Sequence, residues 1–197
     1  MYANKTIRQF IKELSSDAPY PGGGSAACLV SSAAVSLSLM VGKILEKKKK
    51  KQTPPIPLEG LRAALKELEK INRQSLQAID GDVKAYQKVV KAYSLDKSRP
   101  DRTEKIEGSL RGGYLSQKNF AELLVRAAQL QKEVSLLAQG SIASDLVLSR
   151  HFLKAGFLGA CQTARVNLEY MKNQEYKTQG LQTLEQMAAE FERALES

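Results

Sequence analysis

The sequence predicts an all-α protein, folded as an up-and-down bundle of about six helices. Long stretches are dominated by Ala, Leu, Lys, Glu and Gln, residues with high helix propensity. No segment keeps the apolar–polar alternation that marks a β-strand. Hydrophobic residues make up 43% of the 197 positions, which is enough to build a real core. We therefore expect one helical domain over residues 1–197.

The first two predicted helices differ in character. The first runs from about Asn4 to Leu14 and has an apolar stripe at helical spacing. The second runs from about Ser25 to Lys49 and carries no charge from Ala26 to Gly42. That run is close to the minimum length of a membrane span. Its four serines and closing glycine favour tight packing in a soluble bundle, and we interpret it as the central core helix.

Four further helices complete the prediction. A proline-rich break over 52–57 separates the second helix from the third, and Arg111-Gly112-Gly113 is expected to interrupt the fourth. The predicted ranges are 58–93 for the third helix, 102 to about 138 for the fourth, 144–172 for the fifth and 173–195 for the sixth.

Charge and cysteine content limit the possible partners and location. The formal net charge of +9 indicates an anionic partner, and nucleic acid, a membrane surface or a polyanionic small molecule would all fit. Five lysines form one run at 47–51, which usually marks a solvated helix end. Cys28 and Cys161 are expected to be free, packed thiols. The polar first residues do not resemble a signal peptide, so we expect a cytoplasmic protein.

The segment 18–25, Ala-Pro-Tyr-Pro-Gly-Gly-Gly-Ser, is the most informative part of the chain. Its prolines end the first helix, and its three glycines leave the backbone accessible. Ser25 is predicted to be the N-cap of the core helix. A helix N-terminus exposed in this way can bind an anionic group through its free N–H groups. The alternative is a plain loop before a core helix.

A second candidate lies in the third helix, at Ile79–Tyr86. Helical spacing places Asp82 and Tyr86 on one face together with Val89 and Tyr93. Asp80 points elsewhere and is predicted to be a solvated acid near Lys84. Burial would raise the pKa of Asp82 and make it a candidate for proton transfer. The alternative is a carboxylate that only hydrogen-bonds a neighbouring helix.

A third candidate begins at Ser144-Asp145 and continues along the fifth helix. Its stripe contains two glycines, each of which costs roughly 1 kcal/mol of helix stability relative to alanine. Something must therefore approach that face closely, either another helix or a flat ligand. The residues on the stripe are Asp145, Phe152, Gly156, Gly159, Thr163 and Asn167.

Other common chemistries lack their signatures in the sequence. His151 is the only histidine, and no set of histidines and cysteines has metal-ligand spacing, so we expect no metal site. No Ser-His-Asp arrangement, Walker motif or Rossmann fingerprint is present. A nucleic-acid binder is supported by the positive charge alone.

Taken together, these segments resemble the cyclodeaminase/cyclohydrolase family of folate enzymes. The stretch 16–27 is similar to the family's N-terminal signature, and 79–86 resembles its Asp-x-Asp-x-x-Ala-aromatic element. Three short matches, at 144–146, 159–160 and 165–168, follow the order of its last element. The resemblance extends from about residue 6 to residue 176.

The resemblance implies a self-associating helical bundle, most simply a homodimer, that acts on one-carbon units carried by tetrahydrofolate. It implies that Asp82, with Asp145 second, stabilises an amidinium-like cation and moves a proton. The folate is the substrate, and no further cofactor is implied. A polyglutamate tail on it would be attracted by lysines. The residues implied in substrate binding are Gly22, Gly23, Gly24, Ser25, Lys48, Tyr86, Ser144, Thr163 and Asn167.

Within that family two reactions are open. We expect hydrolysis of 5,10-methenyltetrahydrofolate ahead of ammonia release from the 5-formimino form, since no formiminotransferase segment accompanies this one. The family often has Leu-Thr-x-Gly-Lys-Lys-Lys-Tyr after the core helix, and this chain keeps Lys48 and Lys49 but lacks the threonine, glycine and tyrosine. Thr163 replaces a family asparagine. These departures favour a third alternative, a folate- or partner-binding module without catalysis.

Overall fold

The computed structural model describes residues 1–50 and 57–196, and within these the fold is entirely helical. The all-α prediction is confirmed. A short 3₁₀ helix at Tyr2–Asn4 precedes the six α-helices. Their bounds are α1 Ile7–Leu14, α2 Gly23–Lys49, α3 Glu59–Tyr93, α4 Arg102–Ser135, α5 Ile142–Glu169 and α6 Gln174–Glu196. The proline-rich break predicted over 52–57 lies, except for its last residue, outside the described residues.

The four long helices α2 to α5 form a closed antiparallel ring, with α6 packed against α4 and α5. Ser32 on α2 donates to Asn72 on α3 over 2.7 Å. Ser38, further along α2, lies 2.8 Å from Ser149 near the start of α5. Glu46 near the end of α2 accepts from Arg62 near the start of α3. Ser25 at the start of α2 contacts the carbonyl oxygen of Ile79 further along α3, so these two helices run antiparallel. The up-and-down arrangement is as predicted.

Large apolar side chains fill the centre of the ring and the seam under α6. Leu68, Leu124 and Leu153, from three different helices, are fully buried. Phe191 of α6 stacks on Phe157 of α5 with ring centroids 4.1 Å apart. Burial of this apolar surface is the main force that holds the helices together.

Helix α2 is buried along much of its length, although it is apolar enough to span a membrane. Among the described residues, α2 is the one helix that is long and apolar enough to cross a membrane. The mean hydropathy of its most apolar 18 residues is 1.8, and 56% of those residues are buried inside the protein. Its serines are used in the core. Ser38, Ser149 and Gln131 form a fully buried network, with both serine oxygens 2.8 Å from the amide nitrogen of Gln131. The buried network of serines and a glutamine agrees with the interpretation of α2 as a core helix.

The glycines of the α5 stripe allow α2 to approach closely. A Cβ on Gly156 would lie 2.0 Å from Ser31 Oγ and 3.2 Å from the carbonyl oxygen of Ala27, and a Cβ on Gly159 would lie 2.8 Å from Ala27 Cβ. Of the two explanations for this stripe, contact with another helix therefore holds at the glycines. Thr163 and Asn167, further along α5, have a different environment.

Two predictions about local structure are wrong. Helix α4 runs through Arg111-Gly112-Gly113 without interruption, because a glycine weakens a helix without removing its hydrogen bonds. Asp80 is 7% exposed rather than solvated. Its carboxylate accepts from the backbone N–H groups of Tyr2 and Ala3, so the chain start folds over it and supplies the donors.

The first two helices also begin elsewhere than predicted. Helix α1 starts after Thr6, whose side chain forms a capping box with Gln9. Helix α2 starts at Gly23 with Gly22 as its N-cap, so the prediction that Ser25 is the N-cap is wrong. Ser25 lies inside the first turn and is fully buried.

Candidate functional site

A cavity of about 730 Å³ lies at the end of the bundle where α2 begins. Helices α3 and α5 continue past the first residue of α2, and the space between them is left open. The walls are formed by the loop before α2, the first turn of α2, the second half of α3, one residue of α4 and the last turns of α5. The lining residues are Pro19, Tyr20, Gly22, Gly23, Gly24, Asp82, Tyr86, Val89, Val90, Tyr93, Leu110, Gln162, Thr163, Val166, Asn167 and Tyr170.

Asp82 is the one charged side chain among these lining residues, and neutral donors hold its carboxylate. Ser25 Oγ donates to Oδ2 over 2.8 Å. The amide nitrogen of Gln117, on α4, donates to Oδ1 over 2.7 Å. Three different helices therefore fix the position of one carboxylate at the wall of the cavity.

The absence of a side chain at Gly24 makes this arrangement possible. A Cβ there would lie 2.2 Å from Asp82 Oδ1 and 2.8 Å from Gln117 Nε2. A Cβ on Gly22 or Gly23 would meet nothing within 4 Å, because both glycines face open space. The third glycine is thus required by packing against Asp82, while the first two leave the cavity wall free of side chains.

Burial raises the pKa of Asp82 above its ordinary value, because desolvation disfavours the charged form. The hydrogen bonds from Ser25 and Gln117 oppose that effect by stabilising the carboxylate, and the backbone of Ser25 contributes in the same direction. Desolvation is the largest of these effects. A carboxylate with a raised pKa accepts a proton more readily than an ordinary aspartate does.

Aromatic side chains form much of the cavity wall. Tyr86 and Tyr93 on α3 are 44% and 43% exposed, and Tyr170 at the end of α5 is 67% exposed. Large aromatic surfaces left open around a cavity suit stacking against a flat, conjugated ligand.

The polar side of the wall comes from α5. Thr163 Oγ1 donates to the carbonyl oxygen of Gly159, and Asn167 Nδ2 donates to that of Thr163, both over 2.9 Å. Gly113 on α4 leaves room for Asn167, since a Cβ there would lie 2.4 Å from Asn167 Oδ1. The side-chain oxygens of both residues can still accept hydrogen bonds from a ligand.

The structure brings together most of the residues implied in the site. The cavity wall includes Asp82 and, among the residues implied in substrate binding, Gly22, Gly23, Gly24, Tyr86, Thr163 and Asn167. Ser25 lies behind Asp82 and binds it instead of lining the cavity.

Three of the implied residues lie far from this cavity within one chain. Lys48 is 24 residues after Gly24 on α2, which corresponds to about 36 Å of helix. Asp145 and Ser144 lie in the first turn of α5, and 18 residues, or about 27 Å of helix, separate Asp145 from Thr163. Ser144 donates to the carbonyl oxygen of Ser141. Asp145, implied to act second to Asp82 in the same reaction, therefore does not reach this cavity within a single chain.

Sequence reasoning missed Gln117, which is 3% exposed and contacts Asp82 directly. Its helix position is core-facing, since Gly113, Tyr114, Phe120 and Ala121 are buried around it. A polar residue at such a position was the available signal. Tyr170 of the wall was missed as well, while Tyr20 and Tyr93 belonged to the candidate segments without being named as binding residues.

A second cavity of about 680 Å³ lies where α4 begins and α5 joins α6. Its wall includes Glu104, Glu107, Arg111 and Lys172, and Arg111 stacks over the ring of Tyr176 at 4.2 Å. None of the residues implied in the site lines it. No group of three or more histidine, cysteine or carboxylate side chains placed to hold a metal ion occurs in residues 1–50 and 57–196.

The chain is similar to known folate enzymes over nearly its whole length. It is 29% identical over 198 residues to a methenyltetrahydrofolate cyclohydrolase from Methylorubrum extorquens, and the match covers 96% of this chain and 92% of that protein. It is 24% identical over 195 residues to formimidoyltransferase-cyclodeaminase from Sus scrofa, a match of 95% of this chain and 35% of that protein. The chain thus spans about a third of the length of the vertebrate relatives that it matches.

The fold is also that of a solved relative. The crystal structure of a formiminotetrahydrofolate cyclodeaminase from Thermotoga maritima superposes with a TM-score of 0.87 at 18% identity, over 100% of this chain and 94% of that one. The sequence model of the formiminotransferase-cyclodeaminase family matches residues 6–186, which include every residue of the cavity wall. This chain therefore belongs to the formiminotransferase-cyclodeaminase family.

Proposed function

We propose that the protein hydrolyses 5,10-methenyltetrahydrofolate to 10-formyltetrahydrofolate in the cavity beside Asp82. The observation that carries the proposal is a single, partly desolvated carboxylate in an otherwise uncharged, tyrosine-lined cavity. The volume of about 730 Å³ falls in the range of small-molecule sites. The match to nearly the full length of a cyclohydrolase supports this reaction.

The reaction needs one group that handles protons next to a cation. The methenyl bridge is an amidinium cation, which the ionised Asp82 stabilises by charge. Water adds to the bridge carbon and gives one proton to Asp82, which leaves a neutral tetrahedral adduct. The adduct's O–H proton then moves to N5 as the bond from carbon to N5 breaks. The formyl group stays on N10, and the proton on Asp82 passes to solvent.

The formimino reaction is the second candidate, and the fold likeness to a cyclodeaminase supports it. It uses the same amidinium carbon and a tetrahedral adduct, from which ammonia leaves. Asp82 would then donate the proton to the leaving nitrogen. The same cavity and the same carboxylate serve either direction of proton movement, so an assay with both substrates must decide between them.

The direct test is turnover by the purified protein, followed by absorbance, with methenyl- and formimino-tetrahydrofolate as separate substrates. We expect hydrolysis of the methenyl form, and a loss of about 10²–10⁴ in kcat for Asp82→Asn with the fold retained by circular dichroism. Turnover of the formimino form alone would favour the second candidate. Folate binding without turnover of either substrate would leave a binding module and refute the enzymatic proposal.

We also propose that the natural substrate carries a polyglutamate tail. No lysine or arginine is among the described residues that line the cavity, and helical spacing places Lys84, Lys88 and Lys91 on the face of α3 opposite Asp82. The support for this proposal is therefore the long-range attraction of the net charge of +9 for a polyanion. Lys48 is too far away to contribute within one chain. A polyglutamylated substrate should have a lower KM than the monoglutamate, and salt should reduce the difference. Equal KM values at low salt would contradict this proposal.

A homodimer is the third part of the proposal. The outer surface of the α2–α5 pair exposes large apolar side chains, including Met40 and Ile44 on α2 and Leu148 and Phe152 on α5. The contact between Ser38 and Ser149 places Met40 and Leu148 level along the two antiparallel helices. A two-fold contact through this face would cover it with an equivalent apolar surface.

A further inference from the structure

The environment of Gln117 contains one unsatisfied polar atom directly behind the catalytic carboxylate. Gln117 is 3% exposed, and its amide nitrogen donates to Asp82 Oδ1 over 2.7 Å. Its side-chain oxygen, Oε1, is buried and has no hydrogen-bond partner among the described residues. Burying an amide oxygen without a partner costs free energy. An apolar side chain would avoid that cost, so the packing of α4 alone does not explain a glutamine here.

The second neighbour of Asp82 also has an alternative bonding arrangement. Ser25 Oγ donates to Asp82 Oδ2 over 2.8 Å, and the carbonyl oxygen of Ile79 lies within 3.3 Å of the same hydroxyl. A hydroxyl can accept one hydrogen bond while donating another. If Asp82 carries the proton on Oδ2, Ser25 can therefore accept from it and donate to Ile79.

We propose that Gln117 is a positioning residue that holds Asp82 in both of its protonation states. With Asp82 ionised, the amide N–H of Gln117 donates to Oδ1, as in the structure. With a proton on Oδ1, a half-turn of the amide exchanges its two ends, so that Oε1 accepts that O–H and Nε2 takes the place that Oε1 held. Asp82 can thus gain and lose a proton without leaving its place at the cavity wall.

The inference rests on the proposed proton transfer by Asp82, and the space around the amide supports it. A Cβ on Gly24 would lie 2.8 Å from Gln117 Nε2, so the missing side chain leaves room beside the amide. The other ionisable groups near Asp82 are Cys28 on α2, Tyr86 and Tyr93 on α3, Tyr170 on α5 and Tyr20 in the loop before α2. Helix α4 contributes only Leu110 to the cavity wall.

Cys28 does not compete with Asp82 for the proton. Burial raises the pKa of its thiol well above the ordinary value, and the charge of Asp82 raises it further. The thiol therefore stays neutral over the pH range in which a carboxyl group titrates. Changes at Gln117 should be visible in the titration of Asp82 itself.

Helix α4 also provides a matched control. Gln131 lies 14 residues after Gln117, is 1% exposed, donates through its amide nitrogen and has a buried Oε1 without a partner among the described residues. It binds Ser38 and Ser149 in the core and does not contact Asp82. Gln117→Met and Gln131→Met remove the same amide from the same helix at nearly constant volume. Only the first should affect Asp82.

The experiment measures the Asp82 carboxyl directly, by ¹³C NMR titration of aspartate-labelled protein, with Asp82→Asn identifying the signal. The hydrogen bond to the ionised carboxylate is stronger than the one to the neutral acid. Losing both should therefore still raise the titration midpoint in Gln117→Met, by about one pH unit. Gln117→Glu, which places a second acid beside Asp82, should raise it as well. Gln131→Met should leave the midpoint in place while lowering the thermal midpoint of unfolding. An unchanged midpoint in both Gln117 variants, or an equal shift in Gln131→Met, overturns the proposal.

The same variants separate this inference from the proposed function. If the enzyme turns over folate, the midpoint of kcat/KM against pH should move upward in Gln117→Met and stay fixed in Gln131→Met. If the protein turns over no folate, the proposed reaction fails, while the NMR titration still decides whether Gln117 controls Asp82. A kinetic midpoint that stays fixed in Gln117→Met while the enzyme is active also overturns the proposal.

Discussion

At the scale of the single residue, the neutral groups around Asp82 control its protonation. Two side-chain donors hold it, no cation among the described residues pairs with it, and burial raises its pKa. A paired surface carboxylate behaves in the opposite way. Asp101, held by Arg99 and Lys105, has a pKa well below its ordinary range and is suited only to staying ionised. This difference supports the proposal that Asp82 is the group that exchanges a proton.

The pH dependence of turnover should report this environment. As the base that removes a proton from water, Asp82 must be ionised, so kcat/KM should increase as pH rises through its pKa. Because that pKa is raised, the midpoint should lie above the value of about 3.9 for an ordinary aspartate. Steady-state kinetics across a pH series measures it. A rate already at its plateau around pH 4 would contradict a desolvated Asp82.

The pH dependence of the free energy of unfolding should also report the raised pKa of Asp82. The pKa of Asp82 is higher in the folded state than in the unfolded chain, so the folded state binds more protons between those two values. The free energy of unfolding contributed by Asp82 should therefore fall as pH rises through that window, which begins near pH 4, and level off above the folded pKa. Denaturant unfolding of wild type and Asp82→Asn gives the difference directly. A difference that stays constant with pH would show that the pKa is not raised.

At the scale of the element, the first turn of α2 is shaped by its contact with α3. Gly24 lets Asp82 lie against the helix backbone, and Ser25 turns its hydroxyl to the carboxylate. The glycine-rich segment was predicted to bind an anion at a helix N-terminus. In the structure the carboxylate beside this first turn is that of Asp82, supplied by α3.

Gly24→Ala should therefore displace Asp82. The new Cβ would lie 2.2 Å from Oδ1, and a carboxylate moved by about 1 Å can cost about 10²-fold in rate. Gly81→Ala is the control, since a Cβ at that helical position meets nothing within 4 Å and should add about 0.5–1 kcal/mol of stability. Kinetics and thermal unfolding of both variants check this. Full activity in Gly24→Ala would show that the close contact is not needed.

The limits of sequence reasoning can be seen in particular residues. Asp82 could be placed because residues one turn apart share a face of the same helix. Gln117 could not, because its contact depends on the register between α3 and α4. Asp80 was wrongly placed in solvent, because a short 3₁₀ turn far away in sequence covers it. Helical periodicity describes each helix well and carries no information about what packs on it.

At the scale of the whole molecule, Asp82 and Asp145 occupy opposite ends of the bundle. A role for Asp145 in the same reaction requires a second copy of the chain, and the apolar α2–α5 face offers a surface for one. With a two-fold axis at right angles to the helices, the α2–α5 faces of the two copies run antiparallel to each other. The Asp145 end of one copy then lies near the Asp82 end of the other. Self-association and the role of Asp145 are thus a joint prediction.

Light scattering on a sizing column and a mixing experiment test it. The wild type should elute as a dimer, and Phe152→Asp on the exposed face should shift it toward monomer. If Asp145 acts across the contact, inactive Asp82→Asn and Asp145→Asn proteins should regain up to about a quarter of wild-type activity when refolded together, since one of the two shared sites in each mixed dimer is intact and about half of all dimers are mixed. A monomeric wild type, or an active Asp145→Asn variant, would contradict the joint prediction.

The most direct test of the account is a crystal structure of the protein with a bound reduced folate. We expect the pterin ring in the cavity between α3 and α5, against Tyr86 or Tyr93, with its one-carbon bridge next to the Asp82 carboxylate. A folate bound in the second cavity beside Arg111 and Tyr176, or a ring turned away from Asp82, would contradict it.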